Sequence, residues 1–234
     1  MAVIDFHSHI LPGIDDGCRD PEMTRAMLTE AARQGVEIMA ATPHFYGDSD
    51  RVAKFLKRRG DAMEIARPLA AEAGIKLLAG AEVAFFDGMS RAEELALLTL
   101  GRTRLLLVEM PFRQWSERDV TEVRHLLGNG FIIMLAHLER YLGFQKEKGP
   151  LRELLELPVE IQFNAECLLD FWGRREPLRL LKSGRARFLG SDCHNSSSRP
   201  MNLGEGRAVV EKKLGGETLR QIDAAGAALL GLKE

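Results

Sequence analysis

Short apolar segments alternate along this chain with longer amphipathic ones, and this alternation constrains the fold more than any other feature. The apolar segments are bounded by Gly, Pro or charged residues, and we predict that they are strands. They are AVIDF (2–6), VEIMAA (36–41), IKLLAG (75–80), RLLLVEM (104–110), FIIMLA (131–136), VEIQF (159–163) and ARFLG (186–190). Strands that are apolar along their whole length are typical of parallel sheets covered by helices on both faces.

The segments between the predicted strands have helical patterns. The first helix is the clearest, because Asp20 can cap it, Pro21 stands at its first position and Gly35 follows its last turn. Further helices are predicted over 51–73, 116–128, 149–156, 175–183 and 202–213. The second of these is expected to carry its basic side chains on its outer face, namely Arg51, Lys54, Lys57, Arg58 and Arg59. This alternation predicts one domain over 1–234 with an α/β fold, and its seven repeats fit a distorted (β/α)7 TIM-like barrel better than the alternative, an open sheet.

Composition argues against several classes of protein. The formal net charge of −2 offers no basic surface for nucleic acid. The cysteine count of 3 is odd, which argues against a disulfide framework and for a reducing compartment. The N-terminal segment lacks the form of a signal peptide, and no apolar run reaches the roughly 18 residues of a membrane helix. We therefore expect a cytoplasmic protein that neither binds nucleic acid nor inserts into a membrane.

Polar residues fall at the ends of the predicted strands. The chain has 6 histidines, and only His125 lies inside a predicted helix, where we expect it at the surface or at the edge of the core. The others follow the strands: His7, His9, His44, His137 and His194. Carboxylates occupy the same positions, as Glu82, Glu109 and Asp192, and the loop PGIDDG adds Asp15 or Asp16. The carboxyl ends of barrel strands meet at one face, so these side chains are expected to lie close together.

The residue types at this face are those of a metal site. Residues i and i+2 of a strand face the same side, so His7 and His9 can bind one ion together, and so can Asp192 and His194. Imidazole mixed with carboxylate suits Mn, Fe or Zn rather than Ca or Mg. The candidate ligands are His7, His9, Asp16, His44, Glu82, Glu109, His137, Asp192 and His194, enough for two or three divalent ions. Glu82 and Glu109 have an alternative interpretation, in which each carboxylate pairs with an arginine and binds no metal.

Several motifs resemble those of one known superfamily. They are DFHSHILPGIDDG, ATPHF, AHLERY, FNAECLLDFWGR and GSDCHNSSSRPMNLGEG, and they span most of the chain. Together they resemble the PHP (polymerase and histidinol phosphatase) superfamily, and within it the manganese-dependent protein-tyrosine phosphatases of bacterial capsule and exopolysaccharide loci. The resemblance implies a PHP-fold barrel, a trinuclear site that most often holds Mn, and hydrolysis of phosphotyrosine in the cytoplasm. The implied partner is the tyrosine-rich tail of a bacterial tyrosine kinase that controls polysaccharide export.

The resemblance also implies roles for individual residues. The candidate ligands named above match metal ligands, and Arg140 and Arg199 match arginines that hold the phosphate. A guanidinium fork suits a phosphate dianion, which supports this match, although Arg140 could instead form an ion pair with Glu139 or another acid. Asp192 is a candidate proton donor to the leaving group, with a metal-bound water as the alternative. The segment FYGDSD after the TPH motif departs from the basic residues common in relatives, which affects the expected substrate.

Other interpretations compete with this one. The stretch from Cys193 to Arg199 has the Cys-x5-Arg spacing of a cysteine-dependent phosphatase loop. We expect that spacing to be a coincidence, because Asp192 beside the thiol opposes its ionisation and the loop lacks glycines for a close approach to phosphate. Another PHP phosphoesterase, such as a histidinol phosphatase, would share every ligand. A metal-stabilised module that docks on a kinase without catalysis is the alternative that is not an enzyme. The oligomeric state stays open.

Overall fold

The computed structural model describes residues 1–232, so the last two residues of the predicted domain, 233 and 234, lie outside the described residues. Every strand pairing in the described range is parallel. The strands are β1 (Ile4–Ser8), β2 (Ile38–Ala41), β3 (His44–Tyr46), β4 (Lys76–Ala79), β5 (Glu82–Ala84), β6 (Leu105–Glu109), β7 (Ile132–Leu135), β8 (Glu160–Asn164) and β9 (Phe188–Gly190). Each segment predicted as a strand overlaps one of these elements.

Helices connect the strands, as the parallel pairing requires. They are α1 (Pro21–Arg33), α2 (Val52–Glu72), α3 (Glu117–Gly128), α4 (Glu139–Leu142), α5 (Lys148–Glu156), α6 (Glu166–Leu169), α7 (Arg175–Lys182), α8 (Leu203–Leu214) and α9 (Gly216–Leu229), with 3-10 turns at Met89–Arg91 and Glu93–Leu98. The predicted start of α1 is confirmed, because the Asp20 carboxylate accepts a hydrogen bond of 2.8 Å from the Met23 amide and Pro21 opens the helix.

The strands form two groups that continue into each other. One group has the order β1-β2-β4 and the other the order β3-β5-β6-β7-β8-β9. The chain passes from β2 to β3 through Thr42 and Pro43, and proline has no amide hydrogen for a strand ladder. The Glu82 amide nevertheless donates to the Pro43 carbonyl at 3.1 Å. The pairing of β2 with β4 therefore continues into the pairing of β3 with β5, and the two groups are joined.

Hydrogen bonds also join the last strand to the first. The amide of Asp192, just after β9, donates to the His7 carbonyl at 2.7 Å, and the His9 amide donates to the Cys193 carbonyl at 3.0 Å. Ser8 and Cys193 form a parallel bridge. These contacts bring the two ends of the strand order together, as the predicted barrel requires.

Two apolar layers fill the fold. Within β2 and β6, alternate residues belong to different layers, as expected for the period of two in a strand. Met39 and Leu106 pack in the layer that contains the buried residues of α1, whereas Ala40 and Leu105 pack in the other. The second layer also receives Ala225 and Leu229 of α9, a helix that the sequence did not predict.

The predicted pattern was wrong in some local details. The sequence missed the short strands β3 and β5 and the helices α4, α6 and α9. Arg59 does not lie free on the outer face of α2, because its guanidinium donates to the carbonyls of Gly80 and Leu97 at 2.7 and 3.0 Å. Arginine reaches these carbonyls through its long side chain, which the helical period alone cannot show.

Candidate metal centre

The structure brings all the predicted ligands to one end of the strand arrangement. His7 lies in β1, His44 begins β3, Glu82 begins β5 and Glu109 ends β6. The others lie in the loops that follow β1, β7 and β9: His9, Asp16, His137, Asp192 and His194. Each carries a nitrogen or oxygen within 3.6 Å of another member of the set. The predicted convergence is therefore observed.

Glu82 lies at the middle of the cluster and is 1 % exposed. Its Oε1 is 2.8 Å from the His137 Nε2. Its Oε2 faces three histidine nitrogens, at 3.2 Å from His7, 3.3 Å from His9 and 3.0 Å from His44. Burial alone would raise the pKa of the Glu82 carboxyl, but the surrounding histidines, His7 foremost, hold that pKa well below its usual range. Glu82 therefore provides a fixed negative charge at the centre of the cluster.

The rings of His7 and His9 face each other through their Nε2 atoms. The Nδ1 of His7 lies 3.3 Å from the Gln162 Oε1, and the Nδ1 of His9 lies 2.8 Å from the Asp15 Oδ2. A ring nitrogen that faces an oxygen carries the hydrogen, which leaves the Nε2 of the neutral ring as a lone pair. The two Nε2 atoms are 3.1 Å apart. Burial opposes protonation of His9, but Asp15, Asp192 and Glu82 raise its pKa well above the usual value, so a metal ion that binds both rings would replace a proton there.

A second group of donors lies around Asp16. The Asp16 Oδ1 is 3.5 Å from the Nε2 atoms of both His44 and His194. The Nδ1 of His194 is 2.9 Å from the Asp192 carbonyl, so the hydrogen lies on Nδ1 and the buried Nε2 is a free acceptor. Burial, followed by the neighbouring His9, lowers the pKa of His194 to about 4, which keeps that nitrogen available at neutral pH. His9, Asp16, His44 and His194 can hold one ion together.

His137 links the centre to Glu109. Its Nε2 is 3.4 Å from the Glu109 Oε1, besides the contact with Glu82. Burial opposes protonation of His137, but Glu109 and Glu82 raise its pKa to about 9 in the protein without ions. The backbone of His137 has a positive φ of 32°, uncommon for a residue with a side chain. That conformation turns the ring toward the carboxylates instead of along the strand.

Asp192 connects the cluster with both predicted phosphate arginines. Its Oδ1 lies 3.3 Å from the Nε2 of His9. Its Oδ2 accepts hydrogen bonds of 2.6 Å from Arg140, 2.6 Å from Arg199 and 2.7 Å from Asn164. Burial would raise the pKa of Asp192, but the histidines around it, His7 first, hold that pKa far below its usual range.

The prediction that Asp192 and His194 share one face of a strand was wrong. Both lie beyond the end of β9, and Asp192 has a positive φ of 51°. The pair still points into the cluster because this left-handed residue redirects the chain. The periodicity of a strand could not predict this turn, since aspartate adopts it only where the surroundings hold it there.

Buried polar atoms without partners test whether this cluster fits metal ions. Among the described residues, the Oε2 of Glu82, the Nδ1 of His44, the Nδ1 of His137 and the Nε2 of His194 are buried and lack a hydrogen bond. Unpaired groups of this kind are costly and rare in folded proteins. Imidazole nitrogens and carboxylate oxygens are ligands of Mn, Fe and Zn. The donor set therefore fits divalent cations.

Three further residues orient the ligands; sequence reasoning missed Gln162 and Asn164, and it named Asp15 only as the alternative ligand to Asp16. Asp15 binds the Nδ1 of His9 and also accepts a bond of 3.0 Å from the His44 amide. Gln162 faces the Nδ1 of His7, and its Oε1 accepts a bond of 2.9 Å from the His137 amide. Asn164 donates to Asp192. A signal was present, because Gln162 and Asn164 are polar residues that alternate with the apolar Ile161 and Phe163, and buried polar groups require hydrogen-bond partners.

Two glycines make space for the ligand histidines. A Cβ on Gly17 would come within 2.4 Å of the His9 Cβ, and a Cβ on Gly190 would come within 2.6 Å of the His7 Cβ. Real side chains do not approach so closely, so both positions require glycine. The backbone itself thus packs against the two histidines and fixes their rings.

Cys193 has the surroundings of a packing residue. It is fully buried, and its amide donates to the Ser191 hydroxyl at 3.2 Å. Burial, followed by the charge of Asp5, raises the pKa of the Cys193 thiol far above its usual range. Nucleophilic cysteines need the opposite shift. His125 lies exposed on α3, as expected.

A family model for capsular polysaccharide synthesis proteins, CpsB/CapC, matches residues 3–230. The chain belongs to the CpsB/CapC family. The resemblance seen in the sequence motifs is thereby confirmed.

Relatives of this CpsB/CapC protein are named as enzymes. It is 29% identical to the tyrosine-protein phosphatase CpsB of Streptococcus pneumoniae, over 94% of this chain and 94% of the relative. It is 28% identical to the tyrosine-protein phosphatase YwqE of Bacillus subtilis, over 92% and 86% of the two chains. The match runs along nearly the whole length of each relative.

Solved structures agree with the family and with the fold. A structure described with YwqE of Bacillus subtilis and CpsB of Streptococcus pneumoniae as unique metal-dependent tyrosine phosphatases superposes with a TM-score of 0.85 at 26% identity, over 99% of this chain and 96% of that one. The phosphotriesterase homology protein of Escherichia coli superposes with a TM-score of 0.56 at 12% identity, over 94% of both chains, and shows the fold alone. The predicted TIM-like α/β class of this CpsB/CapC protein is confirmed. Among its described helices, none is long and apolar enough to cross a membrane.

Proposed function

We propose that this chain is a metal-dependent protein-tyrosine phosphatase that hydrolyses phosphotyrosine in a protein substrate. Relatives with that name match nearly all of the chain, and a cluster of histidines and carboxylates that could hold a metal ion lies beside two arginines, which supports the proposal. The observation that carries the proposal is the contact of Arg140 and Arg199 with one oxygen of Asp192, at the border of the cluster.

The two arginines are placed to bind phosphate oxygens. Each guanidinium uses its Nη2 on Asp192, and each side chain is 34 % exposed, so other donors of each fork remain free. A fork held by a carboxylate is oriented before the substrate arrives, and it then stabilises charge on the phosphoryl oxygens. Arg140 pairs with Asp192 and not with Glu139, so it does form an ion pair with an acid, as the alternative interpretation expected; we propose that its remaining donors bind phosphate.

The remaining residues hold the ions and the leaving group. We propose that the predicted ligand set, His7, His9, Asp16, His44, Glu82, Glu109, His137, Asp192 and His194, binds two or three divalent ions. Such ions activate a water and neutralise phosphate charge. Three donors already occupy the Oδ2 of Asp192, so we propose that this residue orients the arginines. A phenolate leaves readily, and a proton from Asp192 is then not required.

The finer points belong to the same proposal. We propose Mn as the native metal, with Fe and Zn as the other metals that suit the donors. We propose a bacterial tyrosine kinase of a capsule or exopolysaccharide locus as the protein substrate, because the family model is one of capsular polysaccharide synthesis. We propose the cytoplasm as the location, which the free thiols of Cys18, Cys167 and Cys193 support.

A substrate panel tests the proposal. The purified protein is assayed on a phosphotyrosine peptide and on histidinol phosphate, before and after chelator, and again after Mn is added back. We expect hydrolysis of the peptide, its loss with chelator and its return with Mn. Preference for histidinol phosphate would reject the substrate, activity indifferent to chelator would reject the metal mechanism, and bound metal without turnover would indicate a docking module.

A further inference from the structure

Two partly exposed aromatic side chains stand beside the histidine cluster. Tyr46 is 46 % exposed and Phe112 is 58 % exposed. Each ring packs on a histidine of the cluster. Neither Tyr46 nor Phe112 is itself a candidate ligand. The proposed mechanism uses neither of them.

Tyr46 is the last residue of β3, two positions after His44. The two rings are nearly parallel, with centroids 5.4 Å apart and an interplanar angle of 23°. His44 therefore supports one side of the tyrosine ring, while the exposure shows that the rest of the ring is open to solvent.

Phe112 lies in the loop after β6, three positions beyond Glu109. Its ring centroid is 4.9 Å from that of the buried Tyr141, at an interplanar angle of 31°. It is also 6.4 Å from the centroid of His137, at 22°. Phe112 is thus fixed from beneath by two rings and presents more than half of its surface to solvent.

The strand order separates these aromatic residues from the arginines. Tyr46 and Phe112 belong to β3 and to the loop after β6, with β5 between the two strands. Arg140 and Arg199 follow β7 and β9, further along the same order. Ala84 of β5 pairs with both Tyr46 and Glu109, so Glu109 lies two strands from Tyr46 and three positions before Phe112 in the chain. One side of the cluster is therefore aromatic, and the other side is cationic.

The strand order leaves room for a ring between the two aromatic residues. The strand β3, which carries Tyr46, and the strand β6, which precedes Phe112, are two strand spacings apart, about 9.5 Å. A third ring with centroid distances of about 4.5 to 7 Å to each neighbour would fill such a gap. A phosphorylated tyrosine has the matching polarity, with a dianion at one end and an aromatic ring at the other.

We infer that Tyr46 and Phe112 are specificity residues that hold the phenyl ring of the substrate tyrosine, with its phosphate turned toward Arg140 and Arg199. The inference rests on the proposed function and adds the ring subsite to it. It assigns the choice of aryl over alkyl phosphates to two residues that contact neither the phosphate nor the ions. Both act by positioning the substrate.

Binding of two phosphonates tests the ring subsite separately from turnover. Phenylphosphonate and methylphosphonate are titrated calorimetrically into the Mn-loaded protein, and the metal content of every variant is measured. We expect Phe112→Ala and Tyr46→Ala each to weaken phenylphosphonate about 10-fold, from the loss of ring packing, and methylphosphonate less than about 2-fold. Phe112→Tyr and Tyr46→Phe keep the rings and should bind phenylphosphonate like the unchanged protein.

Two further variants control for folding and for general surface effects. Phe112→Leu preserves apolar packing on Tyr141 and should still lose most of the phenyl preference. Trp172→Ala removes an aromatic side chain that is 84 % exposed and packs on Phe171, and it should change neither affinity. Equal losses for both phosphonates, or no loss for either, would overturn the ring subsite. The proposed function fails on a different result, namely no hydrolysis of the phosphotyrosine peptide by the unchanged protein.

Discussion

The carboxylates of Glu82 and Asp119 are both buried, at 1 % and 2 % exposure, yet their surroundings differ. Asp119 binds both Nη atoms of Arg113 at 2.7 Å, and its Oδ2 also accepts from the amide and hydroxyl of Ser116 at the start of α3. Glu82 has one oxygen without a hydrogen bond, although three histidine nitrogens surround it.

The difference separates a structural site from a binding site. A bidentate pair that also closes a capping box has all its donors matched and stabilises the helix start. A buried carboxylate among histidines, with one oxygen that has no hydrogen bond, leaves an interaction that a cation can complete. Changes at the first site should alter stability without activity, and changes at the second should alter activity far more than stability.

The largest effect is expected from His44→Ala. It removes one donor from each of two candidate ion groups, and kcat/KM on a phosphotyrosine peptide should fall at least about 1,000-fold. The exposed His125 on α3 supplies the matched control, and His125→Ala should retain full activity. Near-normal turnover by His44→Ala, measured with saturating Mn, would contradict the ligand assignment.

Arg140→Ala should lower kcat/KM about 100-fold, because one fork on the phosphoryl oxygens is lost while the ions stay bound. Arg140→Lys should not restore activity, since an ammonium cannot reproduce the planar fork. Arg124→Ala, which breaks a surface pair with Glu153 on the outside of the fold, is the control. An unchanged rate for Arg140→Ala, measured by steady-state kinetics, would show that phosphate binds elsewhere.

At the structural site, Asp119→Asn should reduce the free energy of unfolding by about 2 kcal/mol at pH 7, with kcat/KM unchanged. Arg113 and Ser116 hold the pKa of Asp119 below its usual value against the opposing effect of burial. The stabilisation by the ionised Asp119 carboxylate is therefore complete at pH values above its pKa in the unfolded chain. It is lost as the pH falls through its pKa in the folded protein. Urea unfolding at several pH values should show the difference between variant and parent shrinking below about pH 4. A difference that does not depend on pH would rule out the ionised carboxylate as its cause.

The exposed pair of Asp61 with Lys57, 2.7 Å apart on α2, provides the comparison for that experiment. Asp61→Asn should cost less than about 0.5 kcal/mol, because both side chains stay hydrated. Equal costs at Asp61 and Asp119 would remove the distinction between a buried cap and a surface pair.

The smallest effect is expected from Cys193→Ala. The thiol is buried behind the ligand residues, and its burial keeps it protonated. Turnover should stay within about 2-fold of the unchanged protein, with a modest loss of stability from the small cavity. An inactive Cys193→Ala variant with normal metal content would instead support the interpretation of Cys-x5-Arg as a cysteine-dependent phosphatase loop.

Much of the fold could be predicted from the sequence, because strands buried on both faces are uniformly apolar and the start of α1 carries its own capping residues. The convergence of the ligands followed from one rule, that parallel strands expose their carboxyl ends on the same face. The orienting residues could not be placed this way. Asp15, Gln162 and Asn164 act through tertiary contacts, and the left-handed conformation of Asp192 depends on its surroundings and not on local propensity.

The most direct test of the central claim is the number of metal ions bound to each chain, measured by native mass spectrometry together with elemental analysis. The unchanged protein should bind two or three divalent ions, His44→Ala should bind fewer, and Asp119→Asn should bind as many as the unchanged protein. A chain that binds no ion, or a stoichiometry that His44→Ala leaves unchanged, would contradict the account of the cluster as a polynuclear metal centre.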